Sequence, residues 1–352
     1  MRAAAAAAAA STSATSTLAR SLQARASSTH DATFRLPDGR ALGYAEYGSP
    51  RGLPLFVLHG FPSSRLEAGP LDSIGQRKGI RIISLDRPGF GLSTPQPGRT
   101  MTDFAWDMAA FARAMNIRRF AVAGFSGGGP YALACAHVLP RQTVGAVGMF
   151  ASGPPWAAGA EMMSRPRRVM RWMAVHWPWG LRVLLDAVMG TLRWVSQTQF
   201  VKRKTEEWLV AQDEKKDSGE LAKLDQGEHV EDESGEGEKE NKESKTVSER
   251  REILFRIVDE PFAQGAAATV EEAALLSAPE WGFRLEDVEY APAVRIWHGT
   301  DDTNAPIAAI RYLADKVPHA VLTELAGKTH YTVYPYIEKA LDELAEDFKR
   351  GG

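Results

Sequence analysis

Gly124-Phe125-Ser126-Gly127-Gly128 stands between two stretches of opposite character. Ahead of it, Arg119-Phe120-Ala121-Val122-Ala123 is a short apolar run that reads as a buried strand. Behind it, Pro130-Tyr131-Ala132-Leu133-Ala134-Cys135-Ala136 predicts the start of an apolar helix. Strand, sharp turn and helix form the context in which G-x-S-x-G holds a serine on a strained turn at the top of a sheet. The flanking glycines let strand and helix approach without Cβ clashes. The helix N-terminus then directs backbone N–H groups at whatever bonds to Ser126.

Working outward, the chain alternates strand and helix patterns from residue 33, the mark of an α/β sheet. Residues 34–36 and 41–47, joined by a Pro37-Asp38-Gly39 turn, predict an antiparallel hairpin at one edge. Strands are expected at 54–60, 80–86 and 144–150, and helices at 64–78 and 102–115, the latter capped by Thr102. The pattern stops at Gly153-Pro154-Pro155 and resumes at Pro292, with a strand to Gly299, a helix at 307–316, a strand at 320–325 and a helix at 334–349. The expected division is a tail over 1–30, a first core half over 31–153, a helical cap over 154–290 and a second core half over 291–352.

The cap is made of different material. Residues 156–210 hold 9 Lys and Arg against 4 Asp and Glu, together with Trp156, Trp172, Trp177, Trp179, Trp194 and Trp208. Residues 211–250 hold 14 Asp and Glu against 7 Lys and Arg, with few apolar residues, and read as a disordered charged insert. Arg171, His176, Arg182, Asp186 and Arg193 interrupt the tryptophan-rich stretch and Pro178 breaks it, which excludes a spanning helix. Packing of the tryptophans on the core or pocket is the favoured reading, and contact with a membrane surface is the alternative.

A serine hydroxyl needs a base to take its proton, and the base needs a carboxylate to orient it. On a sheet of this kind the partners follow in the order Ser, Asp or Glu, His, each at the carboxyl edge. Trp297-His298-Gly299-Thr300-Asp301-Asp302 offers two aspartates. Pro306 opens the next helix, so Asp302 falls in the loop just before it and is the expected acid, with Asp301 capping or pointing elsewhere. Leu325-Ala326-Gly327-Lys328-Thr329-His330 puts His330 after the last strand as the base. His30, His137, His176, His229 and His319 all fall at the wrong places, and His298 reads as a buttress of the acid loop. The oxyanion donors are expected to be the N–H of Gly127 and that of Phe61, in the loop His59-Gly60-Phe61-Pro62. His59 and the turn at Asp86, Arg87 and Gly89 read as structural.

Together, His59-Gly60-Phe61-Pro62, Asp86-Arg87-Pro88-Gly89-Phe90-Gly91-Leu92-Ser93, Gly124–Gly128 and His298–Asp302 resemble the α/β-hydrolase superfamily. The nearest likeness is its capped branch of epoxide hydrolases, haloalkane dehalogenases and serine esterases. The resemblance covers about residues 33–153 and 251–350, with 261–265 and 281–288 similar to the cap-to-core return of plant and fungal members. It implies a mostly parallel eight-stranded sheet flanked by helices, with the cap inserted after the sixth strand. It also implies a Ser126–Asp302–His330 triad. Epoxide hydrolases and dehalogenases of this branch use an aspartate nucleophile, so serine at 126 points to an acyl-enzyme hydrolase, foremost a carboxylic-ester hydrolase of a small to medium hydrophobic ester. Amidase, thioesterase, carbon–carbon bond hydrolase and non-catalytic binding protein are the alternatives. One departure is Thr329, where the family commonly has glycine before its histidine.

Composition narrows the remaining classes. A net charge of −2 gives no global electrostatic case for nucleic acid. Cys135 is the single cysteine, which excludes an intrachain disulfide and suits a reducing compartment. No Cys/His cluster or dinucleotide fingerprint appears, so neither metal nor organic cofactor is implied. The oligomeric state is left open. The first thirty residues combine an alanine run with Ser, Thr and Arg and carry no acid before Asp31, the composition of a mitochondrial presequence. A cytoplasmic protein with an alanine-rich tail and a weak secretory signal are the other readings.

Overall fold

The computed structural model describes residues 30–225 and 246–351, with residues 215–225 by backbone alone. The expected tail over 1–30 therefore lies almost wholly outside the described residues. Eight strands form one sheet in the order β1-β2-β4-β3-β5-β6-β7-β8. They are β1 (Ala32–Arg35), β2 (Ala41–Gly48), β3 (Leu53–Leu58), β4 (Ile80–Leu85), β5 (Phe120–Phe125), β6 (Val144–Phe150), β7 (Val294–Gly299) and β8 (Ala320–Leu325). β1 and β2 form the antiparallel edge hairpin, β2 also pairs antiparallel with β4, and all the other pairings are parallel.

Strand alternation divides the core into two layers. Phe56 and Leu58 face a cluster with Phe104, Met108, Phe111 and Phe120. Leu55 and Val57 face the other, with Ile82, Ala123, Leu341 and Leu344. Helices α1 (Asp72–Lys78), α2 (Met101–Ala114) and α3 (Gly129–Val138) belong to the first half of the core. α2 begins two residues earlier than the sequence suggested. Its N-cap is Thr100, not Thr102, because Thr100 and Asp103 form a reciprocal capping box. Thr102 has Ala105 three residues on and offers no such closure.

The cap leaves the sheet after β6 and returns before β7. It comprises α4 (Arg165–His176), α5 (Pro178–Ser196), α6 (Gln199–Asp225), α7 (Val247–Asp259) and α8 (Ala267–Leu276). Two expectations change here. The stretch read as disordered from about 211 to 250 is helical up to Asp225 and again from Val247; residues 226–245 lie outside the described residues. The tryptophans mostly do not pack inward: Trp172, Trp177, Trp179, Trp194 and Trp208 are exposed, and of those named in the cap only Trp156 is buried. The second core half ends with α9 (Ile307–Lys316) and α10 (Ile337–Arg350).

Parallel pairing gathers the carboxyl ends of the strands at one edge. Leu58 pairs with Gly124 and Gly299 with Leu325, so the loops after β3 and β5, and after β7 and β8, emerge side by side.

Candidate active site

Ser126 sits where β5 turns into α3, with φ at 49°, a left-handed conformation that costs a non-glycine residue of order 1–3 kcal/mol. The packed strand and helix hold it there. Ser126 Oγ lies 3.0 Å from His330 Nε2, and His330 Nδ1 lies 2.7 Å from Asp302 Oδ2. Asp302 Oδ1 accepts the N–H groups of Asn304 and Ala305, each at 2.8 Å. The carboxylate is thus held on both oxygens. Burial pushes its pKa up, but the His330 hydrogen bond and the Ala305 N–H outweigh this and leave it lowered. Asp301 is exposed, and among the described residues its carboxylate accepts only from the Thr300 hydroxyl, at 3.0 Å.

The loops carrying Asp302 and His330 are stitched together by backbone. Thr300 N–H donates to Leu325 O at 3.1 Å and Asp301 N–H to Lys328 O at 2.9 Å. The approach is close enough that a Cβ on Gly299 would fall 2.2 Å from Lys328 O, so glycine is required there. Thr329, the departure from the family pattern, is absorbed in a reciprocal turn. Its N–H donates to Thr332 Oγ1 at 2.8 Å, and Thr332 N–H returns the bond to Thr329 Oγ1 at 3.3 Å. His298 supports the acid from below: its Nε2 is 2.7 Å from Ala305 O and 3.3 Å from Asp302 Oδ2. Burial holds the pKa of His298 below the usual value.

The two expected oxyanion donors are neighbours across the site. A side chain on Gly127 would begin 3.3 Å from the Phe61 backbone nitrogen. Gly127 stands in the first turn after the strand, where N–H groups lack intrahelical partners. The adjacent Gly60 N–H is not available, because it donates to Glu67 Oε2 at 2.7 Å. His59 is fully buried; its Nδ1 bonds Gly60 O at 2.9 Å and its Nε2 accepts from Arg87 N–H at 3.2 Å. Burial, followed by the Arg87 charge, drives the His59 pKa well down, so it stays a neutral strut.

Arg87 anchors the loop of His59, Gly60 and Phe61. Its guanidinium donates to His59 O at 2.5 Å and to Gly60 O at 2.7 Å. Its Nε is 2.8 Å from Glu272 Oε1 on α8. Glu272 also pairs with Arg99 and accepts the Tyr131 hydroxyl of α3 at 2.7 Å. Asp86 is the second strut, bound through both oxygens by Arg65 at 2.7 and 2.8 Å.

These loops open on a cavity of about 710 Å³ lined by Phe61, Ser126, Met170, Leu276 and His330 among others. The cap closes one side through Trp156, over whose ring Arg171 stacks at 4.8 Å, and through Arg167, which bonds Asn304 O in the acid loop. Two lining groups escaped the sequence reading. Glu67 belongs to the turn after the oxyanion loop, and burial raises the pKa of its carboxyl. Arg167 reaches in from α4, and burial lowers its pKa. An acid in a first helical turn and an arginine in a basic run are both ordinary surface signals. Nothing local marks them as inward-facing. Among the described residues, no group of three or more His, Cys, Asp or Glu is arranged to hold a metal ion.

Comparison with known proteins gives the family and the fold. The family described as alpha/beta hydrolase fold matches residues 54–334. A proline iminopeptidase of Xylella fastidiosa is 34% identical over 110 residues, 30% of this chain and 34% of the relative. A non-heme chloroperoxidase of Streptomyces lividans is 33% identical over 125 residues, 35% of this chain and 45% of the relative. The chain thus spans less than half the length of these curated relatives. Among solved structures, a carboxylesterase of the thaumarchaeon Nitrososphaera gargenis aligns with a TM-score of 0.56 over 90% of this chain and 100% of its own, at 16% identity, which is a likeness of fold.

Proposed function

The chain belongs to the α/β-hydrolase fold family, and from that membership we propose that it is a serine hydrolase cleaving carboxylic esters through an acyl-enzyme. The observation that carries the reading is the chain of contacts from Ser126 Oγ through His330 to Asp302 at the wall of the cavity. His330 takes the Ser126 proton, and the alkoxide attacks the acyl carbonyl. The N–H groups of Gly127 and Phe61 hold the oxyanion, a contribution of roughly 2.7–4 kcal/mol per donor. His330 then passes the proton to the leaving alcohol. In the second half it activates water, which releases the acid and restores Ser126. Asp302, kept ionised, holds the imidazole with its Nδ1–H toward the carboxylate and stabilises the cation that forms.

Amide, thioester and carbon–carbon bond hydrolysis use the same constellation. A largely apolar lining of Phe61, Phe125, Phe150, Trp156, Met170 and Leu276 favours an ester with a hydrophobic acyl or alcohol part. Labelling with a fluorophosphonate, followed by p-nitrophenyl esters of rising chain length, tests the reading. Wild type should label and turn over, and Ser126→Ala should do neither. Labelling that persists in the alanine variant removes Ser126 as nucleophile. A wild type that neither labels nor hydrolyses any ester moves a binding role ahead. For location, we propose mitochondrial targeting by residues 1–30, on composition alone. A fluorescent fusion of residues 1–35 that stays in the cytosol overturns it.

A further inference from the structure

Helix α5 turns apolar side chains toward solvent and keeps its charges beside its buried face. Trp179 and Trp194 are 69% and 71% exposed, with Val183, Leu184, Val188 and Leu192 exposed between them. Leu181 and Met189 are buried on the side away from Trp179, Val183 and Trp194, and Val188 and Leu192 stand exposed beside that buried side. Arg182, Asp186 and Arg193 lie at the edge of that buried side at 3.6 residues per turn. There Arg182 pairs with Asp186 at 3.6 Å, and Arg193 pairs with Asp259 of α7. Exposed Val169, Trp172 and Val175 of α4, and Trp177 at the junction, extend the apolar surface. Exposed large apolar side chains gathered on two consecutive helices mark candidate interaction sites.

We propose that this face of α4 and α5 seats on an anionic lipid surface. Tryptophan with branched aliphatics on one face, and arginine at the margins, is the chemistry of a helix lying in the headgroup plane. Charge selects the partner. At this face and its margins stand Arg165, Arg168, Arg182 and Arg193, against Asp186 and the Asp259 that Arg193 meets. Arg165 and Arg168 at the start of α4 are exposed and make no ion pair among the described residues. A second copy of this chain would bring the same positive charge to the same face, whereas anionic headgroups neutralise it. No helix among the described residues is long and apolar enough to cross a membrane, so the mode is seating, not spanning. The opposite side of α4 supplies Pro166, Arg167, Met170 and Arg171 to the cavity wall. Docking therefore places α4 between the lipid surface and the cavity. The proposal does not depend on the chemistry at Ser126.

The test is co-sedimentation of the full chain with phosphatidylcholine vesicles, with and without phosphatidylglycerol, alongside sedimentation velocity of the protein alone. Binding should require the anionic lipid. The triple variant Trp179→Ser, Leu184→Ser, Trp194→Ser should weaken it by on the order of tenfold or more, and Arg165→Gln with Arg168→Gln by about tenfold. All of these side chains are exposed, so an unchanged melting curve separates lost binding from lost fold. Failure of wild type to pellet with anionic vesicles overturns the proposal. So does a dimer in sedimentation velocity that the triple serine variant dissolves, which would make the face an interface between copies. Vesicle binding that the triple variant retains overturns it as well.

Discussion

Asp301 and Asp302 are neighbours in the chain but sit in different surroundings. Asp302 is 4% exposed, receives two backbone N–H bonds and meets His330, whereas Asp301 faces solvent. Neutralising the acid that orients the base in a Ser-His-Asp set costs about 10⁴-fold in kcat. Asp302→Asn should show a loss on that scale in steady-state ester hydrolysis, and Asp301→Asn should stay within about twofold, as surface substitutions usually do. A larger loss in Asp301→Asn would reassign the acid. Both side chains, with Ser126 and His330, were legible from order and spacing, because each follows a strand whose apolar run is unmistakable. Glu67 and Arg167 were not, because what makes them part of the cavity is the packing of distant segments.

At the scale of elements, α8 and the loop of His59, Gly60 and Phe61 are joined through one ion pair. Glu272 on α8 meets Arg87, and Arg87 grips the carbonyls of His59 and Gly60, the two residues before Phe61. Glu272→Ala leaves the buried Arg87 and Arg99 without their shared carboxylate, a loss of about 3–5 kcal/mol that should appear as a lower denaturation midpoint. Arg87→Lys is the sharper probe. It keeps the charge but loses the planar fork that reaches two carbonyls at once. The expected result is about a tenfold or larger fall in kcat with KM little changed, as for a group that acts only on the transition state. Wild-type turnover by Arg87→Lys would show that the loop holds its shape unaided. Sequence reading placed the Asp86–Gly89 turn as structural but had no route to its target. Glu272 lies far along the chain in an ordinary helix, and pair formation at such separation leaves no local pattern.

For the whole molecule, the buried histidines set an acid limit on stability. Burial lowers the pKa of both His59 and His298 from the ordinary 6.5. Above 6.5 neither the folded nor the unfolded chain protonates them, and their full contribution to stability is present. As pH falls below 6.5 the unfolded chain takes up protons that the folded chain refuses, so stability drops, by at most about 1.4 kcal/mol per pH unit for each histidine. Denaturant titrations at pH 7.5 and 5.5 should show the loss. His298→Asn should make the pH dependence shallower, although it removes the contact with Ala305 O and lowers stability at both values. A variant with the wild-type slope would assign the acid sensitivity elsewhere.

Sequence alone determined the alternation of strand and helix, the G-x-S-x-G turn, the order in which Ser126, Asp302 and His330 come to one edge, and the place where the chain leaves the sheet. Each is written in local periodicity, in turn residues and in the rule that loops after parallel strands share an edge. Composition also marked residues 156–210 as rich in tryptophan and arginine, but not what those side chains meet. A stripe of tryptophan and leucine looks the same whether it covers a core or stands in the open. Only the tertiary structure decided that Trp156 closes the cavity while Trp179 and Trp194 point outward. The reason is that burial depends on which elements pack together, and that is settled by contacts between segments far apart in the chain.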